Sequence, residues 1–392
     1  MPQSVYIIGS KGIPAKYGGF ETFVEKLTQY QKNTEIHYYV ACMRENSVKS
    51  DITADKFEYN GATCFSIDVP NIGPARAIAY DIKALNMAVD LAVQNQDESP
   101  IFYVLACRIG PFIKEIKKKI KSINGKLLVN PDGHEWLREK WSLPVRKYWK
   151  ISEQLMVKHA DLLVCDSKNI EAYIRNDYSK YHPHTAYIAY GTDLTKSSLM
   201  RDSKKVRHWF SEKAITEKNY YLVVGRFVPE NNYEAMIKGF MASNSSKQLV
   251  LVTNVEKNAF YEKLRKKTGF DKDSRIKFVG TVYDQDLLKY IRENAFAYFH
   301  GHEVGGTNPS LLEALSSTPL NLLLDVGFNR EVGEDGALYW QKDKLQQTIE
   351  QAEQMTQKEL AEIERKAYQR VADAYNWDDI VEMYEKLFIE GR

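Results

Sequence analysis

The 392 residues are too many for one ordinary hydrophobic core and fit two or three domains. Apolar residues make up 44% and charged residues 27%, which excludes a disordered or collagen-like chain. A formal charge of +2 excludes the global basic field of a nucleic-acid-binding protein. Cys42, Cys64, Cys107 and Cys165 form no CxxC pair and no zinc-like cluster, so they read as buried free thiols of a reducing compartment. The apolar core of the N-terminus is too short for a signal peptide, and no apolar run approaches the ~18 residues of a spanning helix. The expected location is cytoplasmic.

Taken in chain order, short apolar runs of high β propensity alternate with helix-period segments. Val5–Ile8 runs into the loop Gly9-Ser10-Lys11-Gly12-Ile13-Pro14-Ala15-Lys16-Tyr17, and the pair Gly18-Gly19 then opens a helix with Glu21 in its first turn. Strand-like runs follow at 36–40, 63–67 and 101–104, with a helical segment at 75–94. Further runs at 127–129 and 162–165 flank a helix at 150–160, and strand-like Ala186–Ala189 ends at Gly191-Thr192-Asp193. The polar stretch within 190–218 reads as a seam. Beyond it come strands at 221–224, 249–252, 276–279, 297–299 and 320–324, with helices at 232–243, 256–267 and 284–292 between them. Residues 342–370 read as one long charged helix, and Asn376-Trp377-Asp378-Asp379 starts a last amphipathic helix.

Fully apolar strands alternating with helices predict parallel sheets covered on both faces. Eleven strands are too many for one doubly wound sheet, so the expectation is two α/β domains, each with a parallel Rossmann-like sheet, facing one cleft. The expected boundaries are 1–195, 196–375 and a C-terminal helix, 376–392, returning to the first domain. In such sheets ligands bind beyond the carboxyl ends of the strands, so the loops there carry the chemistry.

Local charge is uneven. Residues 101–150 hold twelve Lys/Arg against four Asp/Glu, and three of the six tryptophans, Trp136, Trp141 and Trp149, fall among them. Lys and Arg favour anionic head groups, and Trp favours the boundary of apolar and aqueous phases. One reading is therefore a membrane-surface patch carried by Lys117, Lys118, Lys119, Trp136 and Trp141. The other is a solvated helix face whose rings point into the core.

Two further loops hold chemical potential. Val223-Val224-Gly225-Arg226 puts a guanidinium at the carboxyl end of a strand, where it could hold a diphosphate. Phe299-His300-Gly301-His302-Glu303-Val304-Gly305-Gly306-Thr307-Asn308 ends a strand, and Asn308-Pro309 suits a helix start. Loop amides and a helix N-terminus could bind phosphate, with Glu313 one turn in to accept from sugar hydroxyls. His300 and His302 lack a third ligand, and Asp271-Lys272-Asp273 and Asp284-Gln285-Asp286 read as surface structure, so no metal site is expected.

These loops, in this order, resemble GT-B glycosyltransferases, most closely the family-4 type of retaining enzyme. Gly18-Gly19-Phe20-Glu21 resembles the GGxE motif, Gly191-Thr192-Asp193 the segment closing the first domain, Gly225-Arg226 the diphosphate-binding GR, and Glu313-Ala314 the end of the ExxxxxxxE motif. KYGGFET, NPDGHEW, GRFVPENN and GGTNPSLLEAL resemble bacterial cell-wall and capsular polysaccharide rhamnosyltransferases. Two positions depart from the pattern: Gly305 stands where the first Glu falls, and Asn231 where a Lys is usual.

The resemblance implies catalytic roles for Glu21, Asp132 and His134. It implies phosphate and acceptor contacts at Gly18 and Gly19, diphosphate contacts at Arg226 and Asn231, and base contacts from the Gly280-Thr281-Val282 backbone. Gly305, Gly306, Thr307 and Asn308 would meet the donor, and Glu313 the ribose. The implied reaction moves L-rhamnose from dTDP-rhamnose to a polyprenyl-diphosphate-linked sugar such as N-acetylglucosamine, with retention, without a metal or other cofactor, on the inner face of the membrane. The alternatives are a UDP-sugar transferase, a sugar-nucleotide epimerase of the same fold and a non-catalytic carbohydrate-binding protein.

Overall fold

The computed structural model describes residues 2–390 apart from Tyr17, Glu139 and Glu256, with Pro74 described by its backbone alone. The chain divides into two compact units: Met1–Leu137 with Trp141–Gly191 and Trp377–Arg392, and Arg138–Lys140 with Thr192–Asn376.

The first unit is built on eight strands: β1 (Gln3–Ile8), β2 (Ile36–Met43), β3 (Lys56–Tyr59), β4 (Ala62–Ile67), β5 (Ile101–Leu105), β6 (Lys126–Asn130), β7 (Leu162–Cys165) and β8 (Thr185–Tyr187). Their order is β3-β4-β2-β1-β5-β6-β7-β8. All neighbours are parallel except β3, which pairs antiparallel with β4. That strand corrects the all-parallel expectation. It hangs on a two-residue turn, Asn60-Gly61, in which both residues take positive φ (49° and 74°). Asn-Gly tolerates this conformation and matches the twist of a hairpin.

The second unit holds β9 (Tyr220–Val224), β10 (Gln248–Val252), β11 (Ile276–Gly280), β12 (Ala297–His300), β13 (Asn321–Leu324) and β14 (Leu338–Trp340), all parallel, in the order β11-β10-β9-β12-β13-β14. Alternate residues feed opposite faces. Tyr221, Val223, Leu249 and Leu251 join one core cluster, while Tyr220, Leu222, Val250 and Val252 join the other. Helices cover both, which is why these strands read as unbroken apolar runs. The expected helix start at Glu256 lies outside the described residues, and the helix there runs Ala259–Thr268.

Residues 342–370 form two helices where one was expected. Leu345–Gln354 stops, and Gln357–Ala374 begins with a capping box: Thr356 accepts from the Glu359 amide, and Glu359 returns a bond to the Thr356 amide. Reciprocal capping satisfies amides that a continuous helix would have satisfied, so the break is cheap.

The last helix, Trp377–Glu390, belongs to the first unit. Tyr384 and Phe388 pack against Tyr103, Phe23 and Tyr38. Glu385 accepts from the amides of Lys32 and Asn33 at 2.7 and 3.1 Å. Gly191 lies so close to Trp377 that a Cβ would stand 2.6 Å from the indole. Phe388 is fully buried. Phe388→Ala is expected to cost about 3–5 kcal/mol of stability in urea unfolding, the range for truncating a buried aromatic ring; a loss below about 1 kcal/mol would mean that this helix is not part of the first unit's core.

Candidate functional site

In the second unit the first strand, β9, lies between β10 and β12. Connections therefore leave to opposite faces on either side of it, and the loops after β9 and β12 diverge around a crevice. The loop after β9 carries Gly225 and Arg226. The Arg226 guanidinium is exposed and, among the described residues, has no carboxylate within ion-pair distance. Gly225 packs closely: a Cβ there would make a tight contact, 3.2 Å from His302 Cε1. Asn231 is buried, and its side-chain amide donates to the Arg226 carbonyl at 2.8 Å. It holds the shape of the arginine loop.

The loop after β12 is held from below. Asn232, at φ 56°, donates to the Gly301 carbonyl at 2.8 Å and also to the Glu303 carboxylate. Glu303 is in turn paired with Lys342. His300 and His302 stack with centroids 4.4 Å apart. Burial pushes the His300 imidazole well below its usual range. Burial, then the Arg226 and Arg138 cations, hold His302 down at about 3, so both rings are neutral at physiological pH. Gly305 sits at φ 130° with open space around it. A side chain would fit the space but not the backbone, so the loop follows a path open to glycine. Gly306 and Thr307 are buried.

Asn308 caps the helix Pro309–Leu315, as its sequence promised, and this has a consequence for phosphate binding. Its Oδ1 accepts from the amides of Ser310 and Leu311 at 2.9 and 3.4 Å, which takes those amides from an incoming anion. Arg226 is an exposed cation nearby, in the loop after β9. Glu313 is paired through Oε2 with Arg292, which is buried and also reaches Ser310. Arg292 is a residue that sequence reasoning missed. It follows no motif and meets Glu313 only in the fold. Gly280-Thr281-Val282 follows the edge strand β11. Val282 is buried in the core.

In the first unit β1 lies between β2 and β5, so the loops after β1 and β5 flank the corresponding crevice. Glu21 folds back over the β1 loop: Oε1 accepts from the Lys11 amide at 2.7 Å, and a Cβ at Gly18 would stand 1.9 Å from Oε2. The GGxE spacing is thus a clamp. Gly18, at φ 129°, leaves the room that the carboxylate needs. Gly19 has open space around it. The carboxylate expected to be catalytic is buried and engaged by its own loop.

Arg108, after β5, was also missed. It donates to the Gly9 carbonyl at 2.8 Å and pairs with buried Asp81 at 3.0 Å. Burial pushes the Asp81 carboxyl up against the pull of Arg108. The signal available in the sequence was a lone Arg just past an apolar strand.

After β6 the chain takes three consecutive positive φ angles, at Asp132 (60°), Gly133 (87°) and His134 (52°). Asp132 donates its amide to Asn130 Oδ1 at 2.8 Å. His134 is half-buried with its ring on Tyr173, centroids 4.0 Å apart.

The expected membrane residues are dispersed. Lys117 is buried and paired with Asp161, against the expectation of an outward charge; burial pushes its ammonium below the usual lysine range while Asp161 pulls it back. Trp136 donates to Tyr173 at 3.3 Å and Trp141 to Glu135 at 2.9 Å. Lys118 pairs with Glu115, and Lys119 donates to Asn86. Of the acidic pairs, Asp284 caps the helix Gln285–Glu293, Asp286 accepts from Ser197 and Ser198, and Asp273 pairs with Arg275.

Residues 2–193 match a family model described as a domain of unknown function (DUF1972), and residues 206–370 match "Glycosyl transferases group 1". No curated protein matches the chain. Among solved structures, sucrose-phosphate synthase from Thermosynechococcus elongatus is similar at TM-score 0.77 and 18% identity, over 99% of this chain and 98% of that one. HepE from Anabaena, solved with UDP and glucose, matches at TM-score 0.71 and 13% identity over 100% of both chains. The trehalose-6-phosphate enzyme from E. coli, bound with UDP-2-fluoro glucose, matches at 0.73 and 11% over 98% of each. The fold is GT-B, and the second unit carries a glycosyltransferase group 1 domain.

The clamp at Gly18 yields a direct test. Gly18→Ala is expected to lose about 1–3 kcal/mol in urea unfolding, because it adds strain at a positive φ as well as a clash with Glu21; unchanged stability would mean that the carboxylate does not lie over residue 18.

Proposed function

We propose that this GT-B chain with a glycosyltransferase group 1 domain transfers a hexose, in the first instance L-rhamnose from dTDP-rhamnose, to a lipid-diphosphate-linked sugar, with retention and without a metal. The observation that carries the transferase reading is Arg226: an exposed cation that, among the described residues, has no carboxylate partner, at the carboxyl end of β9, next in the sheet to β12 and its glycine-containing loop. As the bond from the anomeric carbon to the diphosphate oxygen breaks, negative charge collects on the leaving group. A guanidinium and backbone amides already in place stabilise that charge without reorganisation. Glu313, aligned by Arg292, offers its remaining oxygen to ribose hydroxyls. Glu21 acts as a positioning group that fixes the β1 loop. With Gly305 where a carboxylate would fall, the new bond forms on the face the diphosphate leaves, and a diphosphate oxygen takes the acceptor's proton. The dTDP-rhamnose assignment rests on the GRFVPENN and GGTNPSLLEAL resemblance. A UDP-sugar donor is the second reading, favoured by the UDP in the solved HepE and by the UDP-2-fluoro glucose in the E. coli enzyme.

A lipid-linked acceptor calls for a membrane-facing surface. With Lys117, Trp136 and Trp141 engaged inside the unit, we place that surface on the helices Gly110–Ser122 and Leu143–His159, which pack together. Phe112, Leu143 and Ile151 are 47%, 77% and 44% exposed there, among Lys114, Lys118, Lys121 and Lys147. Exposed apolar side chains ringed by lysines suit an anionic bilayer surface.

Nucleotide release in EDTA, with dTDP-rhamnose and UDP-sugars compared and the lipid-diphosphate N-acetylglucosamine acceptor present or absent, tests the reaction. Release from dTDP-rhamnose only with acceptor is expected. Release without acceptor would point to hydrolysis or epimerisation, and loss of activity restored by Mn²⁺ would overturn metal independence. Arg226→Ala should lower kcat/KM about 100-fold or more, the scale of losing a preorganised charge donor. Leu143→Glu should weaken co-sedimentation with phosphatidylglycerol vesicles and leave dTDP affinity unchanged, whereas Lys117→Met should leave vesicle binding as it is; the reverse pattern would return the membrane surface to Lys117.

A further inference from the structure

The loop that carries His134 is held in a conformation that L-residues avoid. Asp132 and His134 both stand at positive φ, a region that side-chain-bearing residues adopt only under constraint. Something must over-determine it, and the Lys168–Asp177 helix does so at two points. Ile170 lies so close to Gly133 that a Cβ there would stand 2.4 Å from Ile170 Cδ1. One turn on, Tyr173 provides the ring on which His134 rests, with centroids 4.0 Å apart and planes 38° apart.

Tyr173 is itself anchored to a neighbouring helix. Its hydroxyl receives a bond from Lys150 Nζ at 2.6 Å and donates to the carboxylate of Glu153, which is buried and also accepts from Tyr178. The Lys150 ammonium stands over three rings, 4.4 Å from the centroid of Trp136, 4.9 Å from Tyr178 and 5.0 Å from Tyr173. It lies 3.6 Å from Glu153 and 4.0 Å from Asp177. An ammonium caged by aromatic faces and a carboxylate is held in place. Tyr178 belongs to the hydrophobic core of the first unit, and Tyr173 packs against that core.

We infer that Tyr173 is a positioning residue for His134, and that Lys150, caged by Trp136, Tyr173 and Tyr178 over Glu153, sets the electrostatic environment of the imidazole. The inference rests on the transferase reading for the purpose of His134 but not for its geometry. Burial, and then the Lys150 charge, push the His134 imidazole below its usual range, and Asp177 opposes them. The other charged groups around it are Asp132 and Glu135 on its own loop, and Glu153 and Arg146 on the Leu143–His159 helix, where Arg146 donates to the Trp136 carbonyl at 2.7 Å. The outcome is an uncharged ring near neutral pH, which can accept a hydrogen bond from a sugar hydroxyl on one nitrogen while donating from the other.

The test is histidine-labelled NMR on the full chain without substrate, with the His134 signal among the eight histidines assigned by its loss in His134→Gln. Lys150→Met is expected to raise the titration midpoint of His134, and Asp177→Asn to lower it. Tyr173→Phe should keep the upfield ring-current shift of His134, and Tyr173→Ala should abolish it, in variants whose far-UV spectra match the parent. Midpoints unmoved by both charge changes, or a ring-current shift surviving Tyr173→Ala, would overturn the inference. In the transfer assay Tyr173→Ala should lower kcat about tenfold or more with donor KM little changed, while Tyr173→Phe stays within about threefold. Equal losses in the two variants would also overturn it. Because the spectra need no turnover, absence of transfer by the parent protein would count against the proposed reaction and leave this inference to be decided by NMR.

Discussion

A parallel sheet whose first strand lies at its centre must send its connections to opposite faces on either side of that strand, and both sheets of this protein are built that way. The consequence is physical. The loops leaving β1 and β5 in one unit, and β9 and β12 in the other, diverge to opposite faces of their sheets. Gly9, Gly18, Arg108, Gly225, Arg226 and the Gly305-Gly306-Thr307 run all sit at these places. Each is there because its strand ends there.

What the loops do with their charged groups separates positioning from chemistry. Nearly every carboxylate near these strand ends is already occupied by the protein. Glu21 is held by the Lys11 amide, Asp81 by Arg108, Glu303 by Asn232 and Lys342, and one oxygen of Glu313 by Arg292. A carboxylate held by partners from its own fold is fixed in place, so such groups define loop shape. The guanidinium of Arg226 is the contrasting case, exposed and beside two neutral imidazoles. In the proposed reaction the electrostatic burden of stabilising a leaving diphosphate therefore falls on a cation and amides, and no carboxylate nucleophile is invoked.

Glycines mark where this design is tightest, and their reasons differ. Gly18 yields space to a carboxylate, Gly225 to an imidazole ring and Gly133 to an isoleucine on a neighbouring helix. Gly305 faces open space and is required by backbone conformation alone. A sequence shows all four as the same letter. The glycine at 305, where the resemblance has a glutamate, stands at a φ that a glutamate would resist.

The sequence by itself determined the alternation of strands and helices, the placement of the glycine loops after strands, the cap at Asn308 and the start of the last helix at Trp377, because these depend on local periodicity and on hydrogen bonds a few residues long. It misjudged the Asn60-Gly61 hairpin and the break at Thr356, although both carried local signals that longer apolar and charged runs overshadowed. The tertiary structure alone decided that Lys117 turns inward to Asp161, that Trp136 helps cage Lys150 beside Tyr173, and that Arg292 and Arg108 reach Glu313 and Asp81. Each of these is a pairing of residues 14 to 44 positions apart, brought together by helix packing on a sheet. Charge pairing falls off with distance in space and is blind to distance along the chain, so the free energy that selects such partners exists only once the sheet order has been set.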